Sequence, residues 1–150
     1  MNRKITSLFE VDTKQLVALG EKFYALSGFP GTFHKETFLS FWEQYLQMGL
    51  GSMWVHETDT KIDGAIGMFL NMSIMDGAVV AEEAFWFVNE EARGKVGLSL
   101  FDAVEKWATN LGVSRIVMTH LHSVMPEKVA TFYERKGFKK LQTDYMKVLK

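Results

Sequence analysis

The sequence predicts an α+β fold built on a mixed, mainly antiparallel sheet flanked by helices. Three features carry that expectation. Two amphipathic helical patterns come first, three β-patterned runs with short turns follow, and a strand-helix-strand unit comes after them. No repeat, low-complexity segment or linker interrupts this order, so residues 1–150 are read as a single domain, long enough to bury its own core.

Ile5 to Phe9 suits a short strand. Asp12 with Gln15 three residues on has the form of a capping box, and Leu16, Leu19, Phe23, Tyr24 and Leu26 then recur at near-helical spacing. The glycines and proline of SGFPGTFH interrupt. Phe38, Phe41, Trp42, Tyr45 and Leu46 mark one face of a second helix ending near Gly49 and Gly51. From Ser52 the runs SMWVHET, IDGAIGMFLNMSIM and AVVAEEAFWFV read as an antiparallel meander, with Asp76-Gly77 as a hairpin turn. A helix from near Val96 carries Leu100, Val104, Trp107, Ala108 and Leu111 on one face and stops at Gly112. The apolar run SRIVMT then suits a strand parallel to its predecessor and covered on both faces. Pro126 to Lys136 forms the last helix, ended by Gly137, and KLQTDYMKVL reads as a closing strand or hairpin.

Composition narrows the function classes. Apolar residues make up 47% and charged residues 23%, the balance of a globular protein. With 17 basic and 18 acidic side chains and no cationic stripe, nucleic acid is not the expected partner. The absence of cysteine excludes disulfides, a thiolate nucleophile and cysteine-bound zinc. No signal-peptide core or membrane-length apolar run is present, so a soluble, cytoplasmic protein without a membrane partner is expected.

The chemistry concentrates in WFVNEEARGKVGLSL, where a strand ending at Val88 passes through Gly94 and Gly97 into a helix. The first amides of that helix lack internal acceptors, and the helix dipole with Arg93 and Lys95 would favour an anion such as phosphate. A plain strand-to-helix connector with two solvated cations fits the same residues. The stretch is neither a P-loop nor a dinucleotide fingerprint, and it lacks the second glycine of a nucleophile elbow.

FVNEEARGKVGLSLFDAVEKWATNLG and VATFYERKGF, together with the order of elements, resemble the GNAT superfamily of N-acetyltransferases over nearly the whole chain. The resemblance implies an acetyl-CoA-dependent acyltransferase that moves acetyl directly to an amine-bearing acceptor, with acetyl-CoA as co-substrate and no metal. A non-catalytic CoA-binding or interaction protein of the same fold is the alternative. By resemblance, the backbone at Phe87 and Val88 would pair with the pantetheine arm, and Arg93, Gly94, Lys95, Val96, Gly97 and Leu98 would surround the pyrophosphate. With Leu100, Glu105 and Ala108 in the family's helix register, this loop is one residue shorter than the family pattern, which removes or displaces an amide donor. The acceptor would enter near SGFPGTFH and the C-terminal strands. The sequence leaves open whether two copies pair as a homodimer.

Acetyl transfer needs a base for the amine, polarisation of the thioester carbonyl and an acid for the departing sulfur. Glu82 is the first candidate base by its position relative to Val88, and Glu83 the second; as neighbours on a strand they point to opposite faces unless a bulge intervenes. By resemblance Tyr133 is the general acid, with packing of its helix as its simpler role. His120 is a fallback base, and its spacing from His122, without a third ligand, reads as loop histidines rather than a metal site.

Overall fold

Alternating apolar residues between Gly51 and Val88 build the centre of the molecule. In the computed structural model, which describes residues 1–150, β2 (Gly51–Glu57), β3 (Ile62–Met72) and β4 (Val79–Val88) form an antiparallel meander. β1 (Asn2–Ile5) adds antiparallel to β2, and β5 (Arg115–Val117) adds parallel to β4, giving the order β1-β2-β3-β4-β5. The mixed, mainly antiparallel sheet with one parallel crossover is therefore present.

Helices cover both faces. α1 (Thr13–Ser27) and α2 (Lys35–Gln47) lie on one face, where Leu16, Leu19, Trp42 and Leu46 pack against Met53, Val55, Ala65, Phe85 and Phe87. α3 (Lys95–Leu111) lies on the other, where Leu100, Val104 and Ala108 pack against Trp54, Ile66, Met68, Ala81 and Val88. The apolar spacing of each helix makes one stripe, so each buries one side and leaves the other to water. α4 (Pro126–Arg135) lies alongside α3, with Phe132 and Phe101 ring centroids 5.0 Å apart, and Lys136 just beyond its end reaches Asp102 at 2.9 Å.

Several boundaries differ from the sequence expectation for identifiable reasons. The first strand stops at Ile5, because Ser7 and Glu10 form the reciprocal capping box of a short 3₁₀ turn over Leu8–Glu10. Asp12 does cap α1 through the Lys14 amide, but Gln15 does not close the box on the Asp12 amide: its Nε2 donates to the Asp12 carboxylate at 3.2 Å and its Oε1 accepts from the Ile62 amide at 2.6 Å. β5 is only three residues long and half-exposed, not a strand covered on both faces. The closing strand expected over KLQTDYMKVL does not form: residues 139–150 carry no regular structure, and Leu141, Tyr145, Met146, Val148 and Leu149 are exposed. A three-residue edge offers too few ladder bonds to template another strand. No helix is long and apolar enough to cross a membrane.

Candidate active site

The site grows out of how unequally β4 is paired. Its β3 side is bonded from Val79 to Val88, whereas its β5 side is paired only from Val80 to Glu82. Beyond Glu82 the two parallel strands are no longer paired, and the alternate peptide groups between Glu83 and Val88 that do not bond β3 face the gap on that side. Such an open strand edge offers backbone donors and acceptors to an extended ligand. The side chains of Phe87 and Val88 are buried in the two opposite cores, so only their backbone remains for contact.

At the end of this edge stands the start of α3. Asn89 is buried; its amide donates to the Asp63 carbonyl at 2.8 Å, and its side-chain oxygen accepts from Lys22 Nζ at 2.9 Å, which fixes where the connection begins. Gly94 then takes φ 93° and ψ −100°, a conformation open to glycine, and leads into α3 without a side-chain cap. The amides of Lys95, Val96 and Gly97 are thus left without intrahelical acceptors, while that of Leu98 already bonds the Gly94 carbonyl at 3.0 Å. No carboxylate lies within ion-pair distance of Arg93 or Lys95. Arg93 folds back so that its Nε reaches the Val88 carbonyl at 3.3 Å. Two unpaired cations and three free amides make this helix start an anion-attracting end.

At the other end of the open edge, β4 carries a bulge. The register with β3 jumps between Gly67, opposite Phe85, and Met68, opposite Glu83, leaving Ala84 as the extra residue. Ala84 and Phe85 both pack on the α1/α2 side, whereas Ala81, Trp86 and Val88 belong to the α3 side. Alternation from Ala81 therefore places Glu83 on the α3/α4 face. Glu82, on the opposite face, is exposed and accepts from Asn71 Nδ2 at 2.6 Å. The bulge thus brings the second of the two candidate carboxylates, and not the first, to the tyrosine.

Glu83 Oε2 accepts from the Thr119 amide at 3.0 Å, and the Tyr133 hydroxyl lies 3.3 Å from the same oxygen. The hydroxyl also donates to the Thr119 carbonyl at 2.7 Å. This three-residue cluster sits where β4 and β5 part. Burial pushes the Glu83 carboxyl up to about 7, opposed in part by the bonds from Thr119 and Tyr133. Burial, then the neighbouring Glu83 charge, raises the Tyr133 phenol above its ordinary value, so it stays protonated at neutral pH. Tyr133 is held by its aromatic neighbours Trp86, Phe132 and Phe138, and the turn into α4 at Met125 takes φ 41°, the only positive φ outside glycine.

The histidines stand apart from this cluster. His120 and His122 have ring centroids 5.9 Å apart, and neither bonds Glu83 or Tyr133. No group of three or more His, Asp or Glu side chains is placed to hold a metal ion. The sequence did not point to Thr119, which bonds Glu83 and Tyr133 through its backbone, nor to Trp86 beyond an apolar strand position, though its ring packs on Tyr133.

Residues 21–138 match the acetyltransferase (GNAT) family. The chain belongs to that family. Its fold is shared by a ribosomal-protein-alanine N-acetyltransferase from Brucella melitensis biovar Abortus 2308, with TM-score 0.74, 16% identity and 99% of each chain covered. An aminoglycoside N-acetyltransferase, AAC(6')-Iy, in complex with CoA superposes with TM-score 0.75 and 17% identity, over 99% of this chain and 93% of the other. A predicted acetyltransferase from Clostridium acetobutylicum with acetyl-CoA gives TM-score 0.73 and 14% identity, over 99% and 94% of the two chains. No curated protein matches the sequence. Family membership makes acetyl-CoA the co-substrate to test against the open edge of β4, and the donor set there fits it: backbone groups for an amide-bearing arm, and free amides with two cations for a pyrophosphate.

Proposed function

We propose that this acetyltransferase moves acetyl from acetyl-CoA directly to an amine, with Glu83 as base and Tyr133 as acid. The observation that carries the reading is the continuous open edge of β4, with an uncapped cationic helix start at one end and the Glu83–Tyr133 pair at the other. The pyrophosphate would sit on the Lys95, Val96 and Gly97 amides beside Arg93 and Lys95. The pantetheine arm would run along the β4 backbone through Val88 and Phe87, bringing the thioester to the point where β4 and β5 part.

There the amine nitrogen attacks the thioester carbonyl, the C–N bond forms and the C–S bond breaks. The proton lost by the amine passes to Glu83, directly or through water, and the thiolate takes the Tyr133 hydroxyl proton. Proton transfer from Glu83 to Tyr133 across their contact then restores both groups. A carboxyl pushed up to about 7 is suited to this exchange near neutrality. No covalent acyl-enzyme is involved. The acceptor would approach where the connection between α1 and α2 meets that between β5 and α4; the position of a Cβ on Gly28 is 3.7 Å from Ser123 Oγ, and Tyr24, Phe29 and Phe33 supply aromatic surface nearby.

Thiol release from acetyl-CoA, measured against a panel of primary amines, tests this function. Turnover with at least one amine supports it. CoA binding with no turnover on any amine would favour a non-catalytic binding protein.

A further inference from the structure

Among the buried side-chain polar atoms, Trp86 Nε1 has no hydrogen-bond partner. Its ring stands on the α3/α4 face of β4, between Phe101 of α3 and Phe132 and Tyr133 of α4, at centroid distances of 6.0, 5.8 and 6.5 Å. Cζ2, two bonds from Nε1, lies 3.6 Å from where a Cβ on Gly97 would stand. The edge of the indole that bears the N–H is therefore beneath the first turn of α3, beside the free amides of Lys95, Val96 and Gly97. A buried donor without an acceptor is costly, and phenylalanine would fill an aromatic wall without that cost. By resemblance, the loop that precedes this turn is also one residue shorter than the family pattern, which removes or displaces one amide donor.

We propose that Trp86 is a cofactor-recognition residue: its indole N–H donates to an oxygen of the CoA arm, beside the amides of the shortened loop. The assignment rests on the acetyl-CoA reading above. The Phe101 and Phe132 rings, 5.0 Å apart, fill the seam between α3 and α4, so the arm would meet the indole from the side of Gly97 at the start of α3. The acceptor is either a carbonyl of the pantetheine arm or a pyrophosphate oxygen, since both accept one hydrogen bond from an indole.

The test uses the full chain and CoA. The chain has four tryptophans, so the wild-type indole N–H spectrum has four side-chain resonances, and Trp86→Phe identifies one by its loss. On saturation with CoA that resonance moves downfield, and Trp86→Phe binds CoA about fivefold more weakly. Titration with acetyl-pantetheine and with adenosine 3′-phosphate 5′-diphosphate separates the two acceptors, because the resonance moves with the half that carries the oxygen. CoA binding with an unmoved resonance and an unchanged affinity in Trp86→Phe overturns the assignment alone. If Trp86→Phe does not fold, single assignment by the remaining three Trp→Phe variants identifies the resonance, and its movement decides. Absence of CoA binding to the wild-type chain overturns the cofactor reading and this assignment together.

Discussion

The two edges of β4 differ in what they do for the molecule. Toward β3 the strand is paired along its whole length and locked by Gly67, where an added Cβ would stand 2.5 Å from Trp42 and 2.8 Å from Phe85. Toward β5 it is paired over three residues and then left free. One edge fixes the strand's position and phase, and the other presents that fixed backbone to a ligand. The comparison shows why a single extra residue matters: the bulge at Ala84 is made on the closed edge, yet its effect is to turn Glu83 toward Tyr133 beside the open one.

The largest expected effect lies at the open edge. Tyr133→Phe removes the proton donor and keeps the ring packing, so kcat falls by about 100-fold with little change in CoA affinity. Unchanged turnover would remove the phenol from the acid role. Glu83→Gln lowers kcat by about 30-fold and abolishes the rise in rate through pH 7, whereas Glu82→Gln on the far face stays within about twofold. A pH profile that survives in Glu83→Gln but is lost in Glu82→Gln would reverse that assignment.

Glu83 also links the open edge to stability. Its folded value of about 7 lies above the ordinary 4.5, so the native chain holds this proton more tightly than the unfolded one. Its stabilisation is full below about pH 4.5 and is lost as pH rises through about 7, and Glu83→Gln flattens that decline in denaturant titrations. At the closed edge, Gly67→Ala costs about 2 kcal/mol, because Trp42 and Phe85 have to give way. A smaller loss, below about 0.5 kcal/mol, would mean that the bulge region yields easily. Smallest is Lys95→Ala, which raises KM for acetyl-CoA about fivefold with kcat unchanged, an effect that added salt diminishes.

Local pattern was enough for α1, α3 and α4 and for the meander. Apolar spacing, the Asp12 cap and the glycine ends at Gly28, Gly112 and Gly137 are local signals, and they appear as expected. The anion-attracting turn was legible for the same reason, since Gly94 and the uncapped start of α3 are close in sequence. What needed the structure depends on partners far along the chain. Glu82 and Glu83 cannot be told apart without the register between Gly67 and Phe85, which joins two strands. Thr119 contributes through its amide and carbonyl, to which its side chain gives no clue. KLQTDYMKVL has the composition of a strand, but strand formation depends on an available edge, and β5 offers three residues.

Acetyl-CoA lying along the open edge of β4, from the start of α3 to Glu83, would shield the backbone there from water. Amide hydrogen exchange with and without CoA tests it most directly. CoA is expected to slow exchange between Glu83 and Val88 and at Lys95, Val96 and Gly97, and to leave Val79 to Ala81, already within the paired part of the sheet, unchanged. Protection confined to other parts of the chain, with the segment from Glu83 to Val88 exchanging as before, would place acetyl-CoA elsewhere than on this edge.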